Sequence, residues 1–321
     1  MSLKIAIQMD PIERINVAGD SSLALLLEAQ ARGYEIAYYT PDRMSQLGAE
    51  VFAWVQPLRV KDVAGDHASL GDVARRNLRD FDVVLLRQDP PFDLAYVTST
   101  HMLELLGPET LVINDPAAVR DAPEKILVMQ FPELMPPTLI SRDKREIEAF
   151  RARFSATVMK PLYGSGGAAV FKVDAKDMNF GSLFDMFSVT FREAWVIQEY
   201  MPEVMQGDKR IILVEGEPKG AVLRIPVTGE ARANFHAGGR AGKTALTSRE
   251  KEMCAAIGPT LKEQGLLFVG IDVLGDYITE INVTCPTGLQ EISRLDGTNL
   301  AADVWDAIEA KIAGRASRRP A

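Results

Sequence analysis

The sequence predicts an α/β protein: a parallel-sheet domain at the N-terminus followed by two smaller α+β lobes. Three observations carry this. Near the start, a strand, a capped helix and a second strand follow in βαβ order. In the middle, two β-branched-rich runs flank a loop holding Gly164, Gly166 and Gly167. Towards the end, two strands carrying Asp272, Glu280 and Asn282 flank the turn Gly275-Asp276. The chain has 321 residues, 47% hydrophobic and 25% charged. That is room for two or three domains with ample core.

Taken in order, Leu3 to Met9 alternates as a strand and stops at Asp10-Pro11. Asp20-Ser21-Ser22 offers a cap for a helix over Leu23 to Arg32, closed by Gly33. Tyr34 to Thr40 reads as the second strand, Val51 to Val60 as a further strand or pair, and Ser69 to Arg79 as a helix. Asp82 to Arg87 is apolar until its last residue, the pattern of a buried parallel strand. A rigid loop, Gln88 to Asp93, and a helix over Leu94 to Leu106 follow, and then a strand over Thr110 to Asn114. This is a Rossmann-like domain over residues 1–123. Ligands of open α/β sheets sit beyond the carboxyl ends of strands. Asp10 and Arg87 are therefore candidates for gripping a small polar substrate, against the plainer reading of a capped loop and a surface ion pair.

Pro123 marks a boundary. Glu124 to Phe131 reads as a short helix carrying Lys125, and Pro132 to Pro137 as a linker. The central lobe, 124–200, continues with a strand over Thr138 to Ser141 and a helix over Lys144 to Phe154. The glycine hairpin, a helix near Gly181 to Phe187 and a strand over Trp195 to Met201 complete it. The C-terminal lobe, 201–313, opens with a hairpin of Lys209 to Val214 and Lys219 to Ile225. Pro226 to Lys243 holds four glycines with Arg232, Arg240 and Lys243, and reads as a lid. Ser248 to Gln264 is a helix ended by Gly265, and residues 314–321 read as a flexible tail.

Formal net charge is −8, which argues against general nucleic-acid binding. Any anionic ligand must meet a local basic cluster. Two cysteines, Cys254 and Cys285, make no framework, so a reduced, cytoplasmic setting is the simplest inference. Three scattered histidines, His67, His101 and His236, argue against a histidine metal site. Met1 to Asp10 reads as too short an apolar run for a signal peptide, and no apolar run approaches the ~18 residues of a membrane span.

The glycine loop can bring backbone N–H groups against an anion, and Lys160 beside it suits a phosphate oxygen. An ordinary flexible hairpin turn fits the stretch about as well. It is neither a G-x-x-x-x-G-K-[ST] loop nor a G-x-G-x-x-G fingerprint. In the last hairpin, Glu280 and Asn282 share a face because side chains alternate. An odd-length turn would pair Ile271 with Ile281 and Asp272 with Glu280, keeping the other face apolar. Opposed carboxylates repel, so a cation should sit between them, and all-oxygen donors suit Mg²⁺. A bare polar strand edge is the competing reading.

Lys125, Lys160 with its glycine loop, the Gln198–Met201 strand and Asp272, Glu280 and Asn282 together resemble an ATP-grasp fold, in which two lobes hold ATP between them. More closely, a set of short stretches resembles bacterial glutathione synthetases over essentially residues 3–311. They are Met9-Asp10-Pro11, the loop Arg87 to Asp93, Lys160-Pro161-Leu162, Asp208-Lys209-Arg210, Ala237-Gly238-Gly239-Arg240 and Thr279 to Thr284. Two positions depart: a lysine is expected where Gln88 stands, and a serine where Cys285 stands.

The resemblance implies ATP-dependent joining of γ-glutamylcysteine and glycine to glutathione, releasing ADP and phosphate through an acyl phosphate. It implies that Lys125 and Lys160 hold ATP phosphates, that Gly164, Ser165, Gly166 and Gly167 cover them, that Gln198, Glu199, Tyr200 and Met201 line the adenine, and that Asp208 reaches the ribose. Asp272, Glu280 and Asn282 would carry magnesium, with manganese as the alternative. Arg210 and Arg224 would face the reacting groups together with Lys160. Asp10, Ser21, Arg87, Asp89, Arg232, Gly239 and Arg240 fall on the substrate side. A homo-oligomer, a tetramer, is also implied. The alternatives are another ATP-grasp carboxylate–amine ligase of the D-alanine–D-alanine kind, which would lack the Asp-Pro-Pro-Phe-Asp loop, and a catalytically silent nucleotide-binding protein. A nicotinamide-dependent dehydrogenase is disfavoured because no glycine fingerprint follows the first strand.

Overall fold

The computed structural model describes residues 2–226 and 238–316. Three sheets organise it. The first holds β1 (Lys4–Gln8), β2 (Glu35–Tyr39), β3 (Met44–Leu47), β4 (Glu50–Val60), β5 (Ala68–Leu70), β6 (Ala74–Asn77), β7 (Val83–Leu86) and β8 (Leu111–Ile113). With it go α1 (Ser21–Ala31), α2 (Leu94–Glu104) and α3 (Pro116–Asp121). β2, β1, β7 and β8 run parallel in that order. The chain leaves β1 towards β2 and returns on its other side at β7, so the ends of β1 and β7 form a switch point of the kind that binds ligands. Asp10 and Asp89 meet there: the Asp89 amide donates to Asp10 Oδ2 at 2.8 Å. Asp20 caps α1 by accepting from the Leu23 amide at 2.6 Å.

The helix expected over Ser69 to Arg79 is not present. β5 and β6 occupy that stretch and pair with β4, Leu58 opposite Leu70 and Phe52 opposite Asn77. β4 is 11 residues long; its unpaired backbone groups take these segments as partners, and that pairing outweighs local helix preference.

The second sheet is antiparallel, in the order β11 (Phe171–Asp174), β10 (Ala156–Pro161), β12 (Trp195–Glu199) and β9 (Thr138–Ser141). α4 (Lys144–Arg151) and α5 (Phe180–Thr190) cover it, and it has its own core around Phe187 and Trp195. The third sheet runs β15 (Arg240–Lys243), β14 (Glu217–Ile225), β13 (Asp208–Val214), β16 (Phe268–Leu274) and β17 (Tyr277–Asn282). α6 (Ser248–Glu263), α7 (Leu289–Asp296) and α8 (Leu300–Ala316) complete the described chain.

The first and third sheets share their cores. Val112, Val119 and Leu127 pack in one cluster with Val269, Ile271 and Ile281. Asn114 ties the two together, donating to the carbonyls of Phe268 and Val283 and accepting from the Phe268 amide, each at 2.8 Å. α8 folds back on α1, where Trp305 Nε1 donates to the Leu25 carbonyl at 2.8 Å. No helix among the described residues is long and apolar enough to cross a membrane.

Candidate active site

The polar face of the third sheet follows from register. β13 pairs Asp208 with Arg224 on β14 and Arg210 with Asp272 on β16. β16 in turn pairs Asp272 with Glu280 and Gly270 with Asn282 on β17. Side chains alternate, so all six functional groups lie on one face, with Ile211, Ile271 and Ile281 buried on the other. The expected register is present, but the turn is not odd-length. Leu274 opposite Tyr277 leaves a two-residue turn, and a bulge between Asp272 and Val273 supplies the odd offset. Thr279 occupies the bulge, and its hydroxyl donates to the Asp272 carbonyl at 3.2 Å.

Arg210 grips Asp272 with two bonds, Nε to Oδ1 at 2.5 Å and Nη2 to Oδ2 at 3.0 Å. Its side chain crosses Gly270, where a Cβ would stand 3.1 Å from Arg210 Cδ. Arg224 donates to both oxygens of Asp208, at 2.7 and 2.5 Å, and lies 3.0 Å from Asp272 Oδ2. Burial alone would raise the Asp272 pKa, but the two guanidinium groups outweigh it and hold the carboxylate well below its usual range. For Asp208 burial prevails over Arg224 and the pKa rises. Its carboxylate is turned to Arg224, a different engagement from the ribose contact implied by resemblance.

Facing this sheet are two buried lysines. Lys160, on β10, lies 3.5 Å from Gln198 Oε1 and 3.7 Å from Glu280. Burial lowers its pKa, with Glu280 opposing. Lys125 donates to the Gly164 carbonyl at 2.6 Å, bonds Glu124 closely and stands 3.5 Å from Glu280. Burial works against its charge, but Glu280 and Glu124 together raise its pKa. The helix expected around Lys125 is reduced to a 3₁₀ turn, Leu127–Gln130. Glu124 itself is pushed up to about 7, by burial first and by Glu280 second.

Between the second and third sheets lies a cleft of about 560 Å³. Lys125, Lys160, Gly164, Ser165, Gly166, Gly167, Gln198, Glu199, Tyr200, Met201, Asp208, Arg210, Arg224, Asp272, Glu280 and Asn282 all border it. Gly166 and Gly167 sit at φ 65° and 76°, the left-handed region that glycine permits. Of the substrate-side candidates, Asp89 borders the cleft. Asp10 is one step behind, through its bond to the Asp89 amide.

Ser21 and Arg87 do not reach the cleft. Both are buried, and both brace the segment that closes it. Ser21 accepts from the Leu289 amide at 3.2 Å, and Arg87 donates to Ser22 at 3.0 Å and to the Pro286 carbonyl at 3.1 Å. Arg240 opens β15, the edge strand of the third sheet, with Gly239 just before it; neither lines the cleft, and Arg240 to Lys243 is a strand, not loop. Arg232 and residues 227–237 of the expected lid lie outside the described residues.

Glu124, Lys172 and Cys285 are among the cleft residues that the sequence reading does not single out as site residues. Glu124 enters the sequence reading only as the first residue of the short helix expected to carry Lys125. Lys172 pairs with Val158 across β10 and β11, on the Lys160 face, so alternation across the hairpin could have found it. Its ammonium sits 4.8 Å from the Tyr200 ring. Cys285 borders the cleft and donates to the Arg87 carbonyl at 3.3 Å.

The donor set suits a hard cation: two carboxylates and an amide on one face, all offering oxygen. Among the described residues no three His, Cys, Asp or Glu converge into a cage of their own, so an ion there would complete its shell from ligand oxygens and water. The cleft charge points the same way. Asp89, Glu124, Glu199, Asp208, Asp272 and Glu280 stand against Lys125, Lys160, Lys172, Arg210 and Arg224. That near balance cannot neutralise a polyphosphate without an added cation.

Solved structures of similar architecture include a D-cycloserine synthetase, at TM-score 0.67 and 14% identity over 96% of this chain and 99% of that one. A RimK-domain ATP-grasp protein from Sphaerobacter thermophilus gives 0.62 and 16%, over 95% and 98%. The fold is that of the ATP-grasp ligases, with a nucleotide-sized cleft between two lobes. Residues 3–120 match the N-terminal domain of prokaryotic glutathione synthetase, and residues 124–297 its ATP-grasp domain. A glutathione synthetase of Rhodopseudomonas palustris is 64% identical over 97% of this chain and 99% of its own, and one of Brucella melitensis 55% over 97% and 100%. The chain belongs to the prokaryotic glutathione synthetase family.

Proposed function

We propose that this protein joins γ-glutamylcysteine to glycine with ATP, and that the cleft residues carry the phosphate, adenine and metal roles that the resemblance implies. One observation carries the reading. Lys125, Lys160, the glycine loop and the Asp272–Glu280–Asn282 face border a single cleft, and the Asp89 loop of the first domain closes its far side.

In this reading the cysteinyl carboxylate of the dipeptide attacks the γ-phosphorus, the P–O bond to ADP breaks, and an acyl phosphate forms. The glycine amine then attacks the acyl carbon, phosphate leaves, and the amine gives up its proton. No protein nucleophile is needed; positioning and charge neutralisation do the catalysis. Lys125 and Lys160 meet phosphate oxygens. Gly164 to Gly167 offer backbone donors above them. Glu199 to Met201, with Val158, Val204 and Leu274, wall the base. Arg210 and Arg224, held by Asp272 and Asp208, are the cations nearest the reacting carboxylate. Asp272, Glu280 and Asn282 would hold Mg²⁺, which when bound neutralises charge on the transferring phosphate. Ser21 and Arg87 act by bracing the 284–289 segment. Arg232 remains a substrate-side candidate on the proposed lid, and Gly239 and Arg240 remain candidates at its end, where the chain enters β15. The reading includes three units at 1–123, 124–200 and 201–313, a homo-oligomeric assembly and a cytoplasmic setting; sparse unpaired cysteines support the last.

The test is ADP release by purified protein with Mg²⁺. Release should require γ-glutamylcysteine and glycine together. Turnover with D-alanine alone, and none with the dipeptide, would sink the assignment.

A further inference from the structure

Tyr163 immediately precedes Gly164, at the start of the nucleotide-side loop. Phe92 lies in the loop Gln88 to Asp93, whose Asp89 borders the cleft from the first domain. The two rings stack, centroids 6.0 Å apart and planes 14° from parallel. Each is tied to its own side. Phe92 packs on the buried Tyr96 at 5.2 Å, and Asp93 caps α2 by accepting from the Tyr96 amide at 3.0 Å. On the other side, Gly164 hands its carbonyl to Lys125 at 2.6 Å. The space that Pro90, Phe92, Leu162, Tyr163, Val283 and Thr284 leave between them is only about 20 Å³. Among the described residues no other ring pair, and no side-chain hydrogen bond or ion pair, joins residues 2–123 to residues 138–200.

We infer that Phe92 and Tyr163 are positioning residues that couple the dipeptide side of the cleft to its nucleotide side. This rests on the reading that the Asp89 loop serves the dipeptide and the glycine loop serves ATP. A nucleotide that draws the glycine loop down holds Tyr163 against Phe92. A dipeptide that orders the Asp89 loop holds Phe92 against Tyr163. Each ligand thus stabilises the arrangement that the other needs, and linkage makes the effect reciprocal. The size is bounded by what one aromatic pair supplies beyond its area, a factor of about 2 to 12 in affinity. Neither ring touches a reacting atom. The contact acts before chemistry, on the order and economy with which the site fills.

The test is calorimetric. The Kd of γ-glutamyl-α-aminobutyrate is measured with and without Mg²⁺ and the β,γ-methylene analogue of ATP, and the ratio of the two Kd values is the coupling. The intact protein should give a ratio between about 2 and 12. Tyr163→Ala should bring it to about 1, with each ligand's separate Kd within about twofold of the parent. Tyr163→Phe should retain the coupling, because the stack survives. Phe92→Leu keeps apolar bulk on Tyr96 should Phe92→Ala fail to fold, and it should also abolish coupling. Combined with Tyr163→Ala it should lose nothing more. A parent ratio in Tyr163→Ala, or a ratio of 1 in the intact protein while both ligands bind, overturns the inference and leaves the functional reading standing. Failure of the intact protein to bind the dipeptide at all overturns both.

Discussion

Glu280→Gln separates the chemistry of the cleft from the stability of the fold. The carboxylate is about a quarter exposed, and its ion-pair distances are long, 3.5 Å to Lys125 and 3.7 Å to Lys160. Both lysines are buried, but Lys125 keeps Glu124 and the Gly164 carbonyl and Lys160 keeps Gln198, so losing these long contacts should cost about 1 kcal/mol, well below the cost of breaking a directly bonded buried pair. The substitution keeps the shape, and Asp272 keeps its own partners. Unfolding should therefore shift by roughly 2–3 °C or less. Activity should respond on another scale. Removing one preorganised charge from a phosphoryl-transfer site costs about 10²–10³ in rate, and here the charge belongs to a proposed magnesium ligand. Asp272→Asn is the contrast. Asp272 is buried and bonded by two guanidinium groups at 2.5 to 3.0 Å. Breaking such a buried pair costs about 3–5 kcal/mol, so stability and activity should fall together. The measurements are ADP release with γ-glutamylcysteine, glycine and Mg²⁺, and a thermal melt of each variant. Glu280→Gln with activity within threefold of the parent would refute the assignment of this face to the metal. Melting as low as Asp272→Asn would refute the argument that its ion pairs are weak.

Further outcomes follow from the packing. Gly216 sits at φ 80°, and a Cβ there would lie 2.4 Å from the Gly258 carbonyl oxygen; Gly216→Ala should cost about 1–3 kcal/mol in a denaturant melt. Thr247 and Glu250 form a capping box on α6; Thr247→Ala should lower stability by about 1 kcal/mol and leave turnover unchanged. Phe187→Ala opens the core of the second sheet, where the ring is fully buried against Trp195 at 5.4 Å. It should cost about 3–5 kcal/mol and weaken nucleotide binding, read by melt and calorimetry. Burial pushes the Cys254 thiol up to about 12 and the Cys285 thiol well above its usual value. A thiol reagent at pH 8 should label Cys254 slowly in the native protein and quickly once it is denatured; rapid native labelling of Cys254 would contradict its burial.

Much of the site was legible because it is written in short-range patterns. Alternation marks β1 and β17, an unbroken apolar run marks β7, a β-branched-rich run marks β10, and Asp20 announces α1. The glycines of the 164–167 loop stand where left-handed backbone is required. The uniformly apolar face of the last hairpin selected the pairing of Asp272 with Glu280, although a bulge produces it in place of a longer turn. The resemblance to glutathione synthetases rests on such stretches, and it led to the cleft.

What the sequence determined by itself is therefore local: strand faces, caps, the loop that can cradle an anion, and the family those motifs belong to. The tertiary structure decided what depends on partners far along the chain. Ser69 to Arg79 is strand because β4 needed its edge filled. Arg210 and Arg224 hold Asp272 because antiparallel pairing brings residues 62 and 48 positions apart onto one face. Glu124 is perturbed because Glu280 and the glycine lobe enclose it. Arg87 and Ser21 brace a loop some two hundred residues or more away instead of facing the cleft. Burial, and the charges that share a buried space, are set by non-local contacts, and short-range pattern carries no term for them.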